Sequence, residues 1–90
     1  MSADAEAVAT DVLSQTTQQP REVCMRREVL LADLGVDSLA LLEMVETLQD
    51  RLAIIVPDEV TARIQTVADW QDAASRLAAA APASEPTTRT

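Results

Sequence analysis

The 90-residue chain has no histidine, lysine, phenylalanine or tyrosine, and only one glycine, one cysteine and one tryptophan. Each absence removes a class of function. Without histidine, neither a Ser-His-Asp nor a Cys-His arrangement can form within one subunit. Cys24 stands alone, so an internal disulfide is impossible and a thiolate metal site has no second ligand. Seven arginines face fifteen acids, giving a formal charge of −8. Nucleic acid is a poor partner because the clustered cations that phosphate contacts need are missing, and an anionic membrane surface repels the chain. No run approaches the roughly 18 apolar residues of a transmembrane span. Met1-Ser2-Ala3-Asp4-Ala5-Glu6 lacks the basic segment and apolar core of a secretory signal. We therefore expect a cytoplasmic monomer that is no enzyme by itself and whose partners carry basic patches.

Ninety residues make one small domain with a single core and no deep cleft between lobes. Ala5, Val8, Ala9, Val12 and Leu13 recur at three- and four-residue steps, which predicts a first helix from about residue 3 to 18. Pro20 cannot continue it. Residues 20 to 37 form a long connection, and an unstructured loop of that size is unusual in a compact domain. Its apolar run Val29-Leu30-Leu31, with Leu34 nearby, is expected to pin it to the core. A second helix should run from Ser38 to about Leu52, with Leu41, Met44, Val45, Leu48 and Leu52 on the buried stripe. Ala53-Ile54-Ile55-Val56-Pro57 is β-branched, but Pro57 and the lack of a second strand favour a buried connector.

Asp58 to Arg63 can form a short third helix whose acids complement its positive end. Thr66-Val67-Ala68-Asp69 resembles a capping box, and Val67, Trp70, Ala74, Leu77 and Ala81 then mark a fourth helix. From Pro82 the chain turns to Pro, Ser, Thr and Ala, the composition of a disordered tail over 82–90. The fold class is all-α: a small four-helix bundle over residues 1–81, three helices longer and one short, with a long loop between the first two.

The most informative stretch is Leu34-Gly35-Val36-Asp37-Ser38-Leu39, at the start of the second helix. Gly35 permits a positive φ or a close approach, while Asp37 and Ser38 are both N-cap types. The Ser38 hydroxyl should thus be displayed, where free N–H groups and the positive end of the helix dipole favour a phosphate on its oxygen. Alone, a serine after aspartate at a helix start usually means no more than a cap. Leu39, Leu42, Glu43, Glu46 and Asp50 fall on the side of the helix away from the buried stripe, a face suited to partner binding. From Asp33 to Glu59, seven acids face only Arg51. Such a surface gives fast, reversible and salt-sensitive encounters.

Taken with Val56-Pro57-Asp58-Glu59 downstream, the run 34–43 resembles acyl carrier proteins, and the resemblance extends over residues 4 to 80. Asp-Ser-Leu-Ala-Leu-Leu-Glu (37–43) and Pro-Asp-Glu-Val-x-x-Arg (57–63) are most similar to the discrete carriers of aromatic, or type II, polyketide synthases. The resemblance implies 4′-phosphopantetheine attached covalently to Ser38, between Asp37 and Leu39, with acyl groups held as thioesters on its thiol. It implies that a phosphopantetheinyl transferase, using coenzyme A and magnesium with Asp37 beside the metal and phosphates, installs the arm. A ketosynthase, an acyltransferase and tailoring enzymes of polyketide and antibiotic biosynthesis are then met by transient contact through Leu39, Leu42, Glu43, Glu46 and Asp50. Met44, Val45 and Leu48 are candidates to shelter a bound acyl chain. Carriage of fatty acyl or aminoacyl groups, or an acidic interaction domain without a prosthetic group, are the alternative readings.

Two departures from that family qualify the match. Its members commonly end the second helix with an aromatic residue and then glycine, where this chain has Leu52 and Ala53. A left-handed Ala53 would carry strain of about 1 kcal/mol. The missing phenylalanines leave a core of smaller aliphatic groups.

Overall fold

The periodic stretches all form helices. The computed structural model describes residues 2–80, with α1 over Ser2–Thr17, α2 over Arg21–Cys24, a 3-10 turn over Leu31–Leu34, α3 over Ser38–Leu52, α4 over Asp58–Thr61 and α5 over Val67–Ala80. The expected tail over 82–90, and Ala81 at the end of the fourth periodic stretch, lie outside the described residues. No strand forms among those residues, and the only β-type pairing is an isolated bridge between Leu30 and Thr66.

Alanines let α1 come close to its neighbours. Ala5, Ala9, Val12 and Leu13 are buried, and α1 packs chiefly on α5 and α3. From the other side come Met44, Val45 and Leu48 of α3 and Val67, Trp70, Ala73 and Ala74 of α5. Trp70 is fully buried and its indole Nε1–H donates to the Ala9 carbonyl at 2.7 Å, so its one polar atom is satisfied. Cys24 is buried as a small apolar group, and that burial pushes its thiol up from the usual range.

The long connection is not an unstructured loop. It contains α2 and the 3-10 turn, and it is pinned by backbone bonds as well as by leucines. Leu31 N–H donates to Gln65 O, while Val67 N–H donates to Val29 O and Ala68 N–H to Arg27 O. Those last two satisfy helix-start donors of α5 that have no partner within the helix. The remaining ones are taken by the box: Asp69 N–H donates to Thr66 Oγ1, and Thr66 N–H donates to Asp69 Oδ2. Gln65 N–H adds a further bond to Asp69 Oδ2, and these donors hold the Asp69 carboxyl below its usual range. Of the leucines expected to anchor the loop, Leu31 is buried but Leu30 stays 45% exposed. Arg27 tethers the loop, bonding Gln71 at 3.1 Å and both carboxylate oxygens of Asp72 at 3.0 Å.

At its far end α3 closes in the left-handed conformation that the sequence, with alanine in place of glycine, left open. Ala53 has φ 55° and ψ 46°, the left-handed conformation, and the amide of Ile54 reaches back to Gln49 O. Gln49 also accepts the Val56 amide on its side chain, holding the connector against the helix. Ile54 and Val56 are buried, whereas Ile55 is 76% exposed, so the connector is only alternately buried. Ala53→Gly should relieve the left-handed strain and raise stability by about 1 kcal/mol. For a domain of this size that is a rise of roughly 4–8 °C in thermal midpoint, readable by circular dichroism. An unchanged or lower midpoint would mean that no strain is stored there.

Candidate functional site

The loop into α3 is built around one backbone conformation. Leu31–Leu34 forms a 3-10 turn that ends at Gly35, with φ 89° and ψ 12°. Its amide bonds Ala32 O and that of Val36 bonds Leu31 O, closing the turn on both sides. No atom beyond its chain neighbours would lie within 4 Å of an added Cβ, so Gly35 is needed for its positive φ and not for a close approach by its own chain. Val36 then dips into the core, and Asp37 is extended, with φ −96° and ψ −174°. This in-and-out alternation brings the next side chain to the surface.

The cap belongs to Asp37 alone. Its Oδ1 accepts the Ala40 amide at 2.8 Å and its carbonyl accepts the Leu41 amide at 2.9 Å. Ser38, which the sequence offers equally as a cap, is instead the first helical residue. The reason lies in the backbone: a single residue with non-helical dihedrals can hold the N-cap position, and Asp37 holds it. Ser38 is exposed, and no bond among the described residues engages its hydroxyl. Its amide and that of Leu39 lie in the first turn, where the helix itself provides no acceptor.

Beside the hydroxyl lies a groove of about 530 Å³, lined by Leu30, Leu31, Ala32, Val36, Asp37, Ser38, Leu41, Ile64 and Gln65. Most of this lining is aliphatic. Met44, Val45 and Leu48, the residues considered as a shelter for an acyl chain, are not part of it. They are buried against α1 and α5 as core, so any sheltering at this groove falls to Leu31, Val36, Leu41 and Ile64. Sequence reasoning missed Ile64, because a single aliphatic residue between Arg63 and Gln65 carries no period.

The other site residues share one face of α3. Leu39 is 66% and Leu42 51% exposed, and Glu43, Glu46 and Asp50 are exposed beside them. Arg51, the one cation expected to offset these acids, pairs across to Asp11 of α1 at 3.7 Å, where Arg21 also binds. Among the described residues the three acids have no ion-pair partner, so no described arginine is paired into this face around its two exposed leucines. No described helix is long and apolar enough to cross a membrane.

An exposed, unengaged hydroxyl at a helix start, next to an apolar groove and an acidic face, suits covalent attachment of a phosphate-linked group. The Ser38 and Leu39 amides can receive its oxygens, and the groove can take apolar atoms beyond them. Residues 10–73 match the family described as phosphopantetheine attachment site. A protein named acyl carrier protein, from Wolinella succinogenes, is 38% identical over 58 residues, covering 64% of this chain and 75% of that protein.

Proposed function

This chain belongs to the acyl carrier proteins with a phosphopantetheine attachment site, and from that premise we propose that Ser38 Oγ is the atom carrying the arm. Members of the family are non-catalytic carriers of covalently bound 4′-phosphopantetheine. When bound, the group supplies a thiol on a long flexible tether that holds acyl groups as thioesters.

The reading rests on the Ser38 hydroxyl, which is exposed, unbonded among the described residues and part of the lining of an apolar groove. Each neighbouring residue then has a separate task. Gly35 sets the turn that presents the hydroxyl, and Asp37 fixes the helix start through Oδ1 and would stand beside the magnesium ion and phosphates of the transfer reaction. The Ser38 and Leu39 amides orient the phosphodiester, and Leu31, Val36, Leu41 and Ile64 keep water away from whatever enters the groove. A separate phosphopantetheinyl transferase performs the transfer, since no base other than Asp37 stands near Ser38 in the chain. Incubation of the folded wild type with a promiscuous transferase and coenzyme A should add one arm per chain by intact mass, and the new thiol should accept an acyl group. A folded chain that stays at its starting mass would falsify this reading.

Leu39, Leu42, Glu43, Glu46 and Asp50 form the surface met in turn by the transferase, ketosynthase, acyltransferase and tailoring enzymes. Support comes from the two exposed leucines and the acids around them, which have no ion partner among the described residues. Glu43→Lys with Glu46→Lys should slow processing by a partner roughly tenfold or more at low ionic strength, with the gap closing as salt rises. Helix content by circular dichroism should stay the same. Equal turnover of both forms at every salt concentration removes these acids from the docking surface.

The finer reading is a discrete carrier of an aromatic polyketide synthase, supported by the runs Asp37–Glu43 and Pro57–Arg63. Fatty acyl carriage is the competing reading, favoured by the aliphatic groove lining. Extension assays separate them: the loaded chain should serve a polyketide ketosynthase pair better than a fatty acid elongating enzyme, and the reverse preference would assign it to fatty acids.

A further inference from the structure

Ile64 lines the groove beside Ser38 and also a second, smaller pocket of about 130 Å³ between α4 and α5. That pocket is bordered by Val60, Arg63, Asp69, Asp72 and Arg76. Its two carboxylates already have donors: Asp69 accepts the Gln65 and Thr66 amides, and Asp72 accepts from Arg27 on both oxygens. Neither Arg63 nor Arg76 forms an ion pair with any described residue. The lining thus sets two guanidinium groups, without ion pairs among the described residues, beside two carboxylates whose oxygens already accept other donors. The pocket therefore differs from the groove in what it can recognise. Its size, roughly the liquid volume of four waters, admits a carboxylate and the carbon bearing it but not a longer chain.

We propose that Arg63 and Arg76 form a subsite for the free carboxylate of a carboxyacyl group, such as malonyl, carried on the arm at Ser38. The proposal rests on the reading of Ser38 as the attachment point. Ile64 borders both the groove and the pocket, and this shared wall is where an arm held in the groove would bring its acyl end to the arginines. Guanidinium groups bind carboxylates through paired charge-assisted hydrogen bonds. A neutral acyl group offers them only its thioester carbonyl, without the charge or the paired oxygens of a carboxylate, so the carrier would hold a carboxyacyl unit and a neutral one in different places.

The test loads the wild type and the Arg63→Gln, Arg76→Gln double variant with malonyl and acetyl arms, using a promiscuous transferase and the matching coenzyme A thioesters. The malonyl carboxyl carries carbon-13. In the wild type it should titrate a few tenths of a pH unit lower than in the double variant, because nearby cations favour the carboxylate. In the wild type alone, the side-chain N–H resonances of Arg63 and Arg76 should move with malonyl and stay in place with acetyl. Equal titration midpoints, or arginine resonances indifferent to the acyl group, overturn the subsite while leaving the attachment reading intact. A chain that takes up no arm at all overturns the attachment reading and the subsite with it.

Discussion

Ser38→Ala is expected to abolish arm loading completely while changing stability by less than about 0.5 kcal/mol, the usual range for an exposed residue without a bonded side chain. The structure makes the two effects separable. Because Asp37 Oδ1, and not Ser38 Oγ, accepts the Ala40 amide, removing the serine oxygen leaves the cap untouched. Asp37→Ala should behave in the opposite way in denaturation, costing about 1 kcal/mol through loss of the cap. Urea unfolding followed by Trp70 fluorescence measures the stability of both variants, and intact mass after incubation with the transferase measures loading. A Ser38→Ala chain that still gains an arm, or one that unfolds as readily as Asp37→Ala, contradicts the roles given to these two residues.

Trp70→Ala should be the most destabilising of these substitutions, costing about 3–5 kcal/mol by analogy with other buried aromatic truncations. The indole is fully buried where α1 meets α5, and its N–H bond to Ala9 O joins the two helices. Small domains are stable by roughly 5–15 kcal/mol, so the loss is a large share of the total. Trp70→Phe keeps an aromatic ring and loses the donor, and should fall between the wild type and Trp70→Ala. With no other tryptophan in the chain, both are followed by circular dichroism, as a lower urea midpoint. A cost below about 1 kcal/mol for Trp70→Ala would mean that the α1–α5 contact can close over the missing ring.

The helices were legible where apolar residues recur with a period. Ala5, Ala9, Val12 and Leu13 on α1, Met44, Val45 and Leu48 on α3 and Trp70 and Ala74 on α5 are all buried as their spacing requires. The capping box at Thr66 was readable because it depends on only a few neighbouring residues, whereas alanine at position 53 did not announce the left-handed turn that it makes. What escaped is held by contacts distant in sequence. Arg27 reaches Asp72, and the Val29 and Arg27 carbonyls cap α5, with no local pattern to announce either. The assignment of the cap to Asp37 over Ser38 also needed coordinates, because both residue types suit that position equally well. At the candidate site, the turn at Gly35 and the acidic face of α3 were visible in the sequence. The groove was not, since Val36, Leu41 and Ile64 meet only through the packing of three separate segments.

Gly35 and Asp37 have a joint consequence for the site. The left-handed glycine reverses the chain out of the 3-10 turn, and the aspartate then starts the helix one residue before the serine. A hydroxyl used as the cap would point back at the helix amides. With that role filled by Asp37, the Ser38 oxygen is free for another enzyme, which is what a carrier needs if it is a substrate and not a catalyst.

The most direct measurement is to locate the arm. Wild-type chain is incubated with transferase and coenzyme A, digested, and its fragments sequenced by mass spectrometry. A single modified residue, Ser38, is expected, in the fragment that also contains Asp37 and Leu39. An arm found on Ser14, Ser75 or any threonine, or a chain with no modified residue, would contradict it.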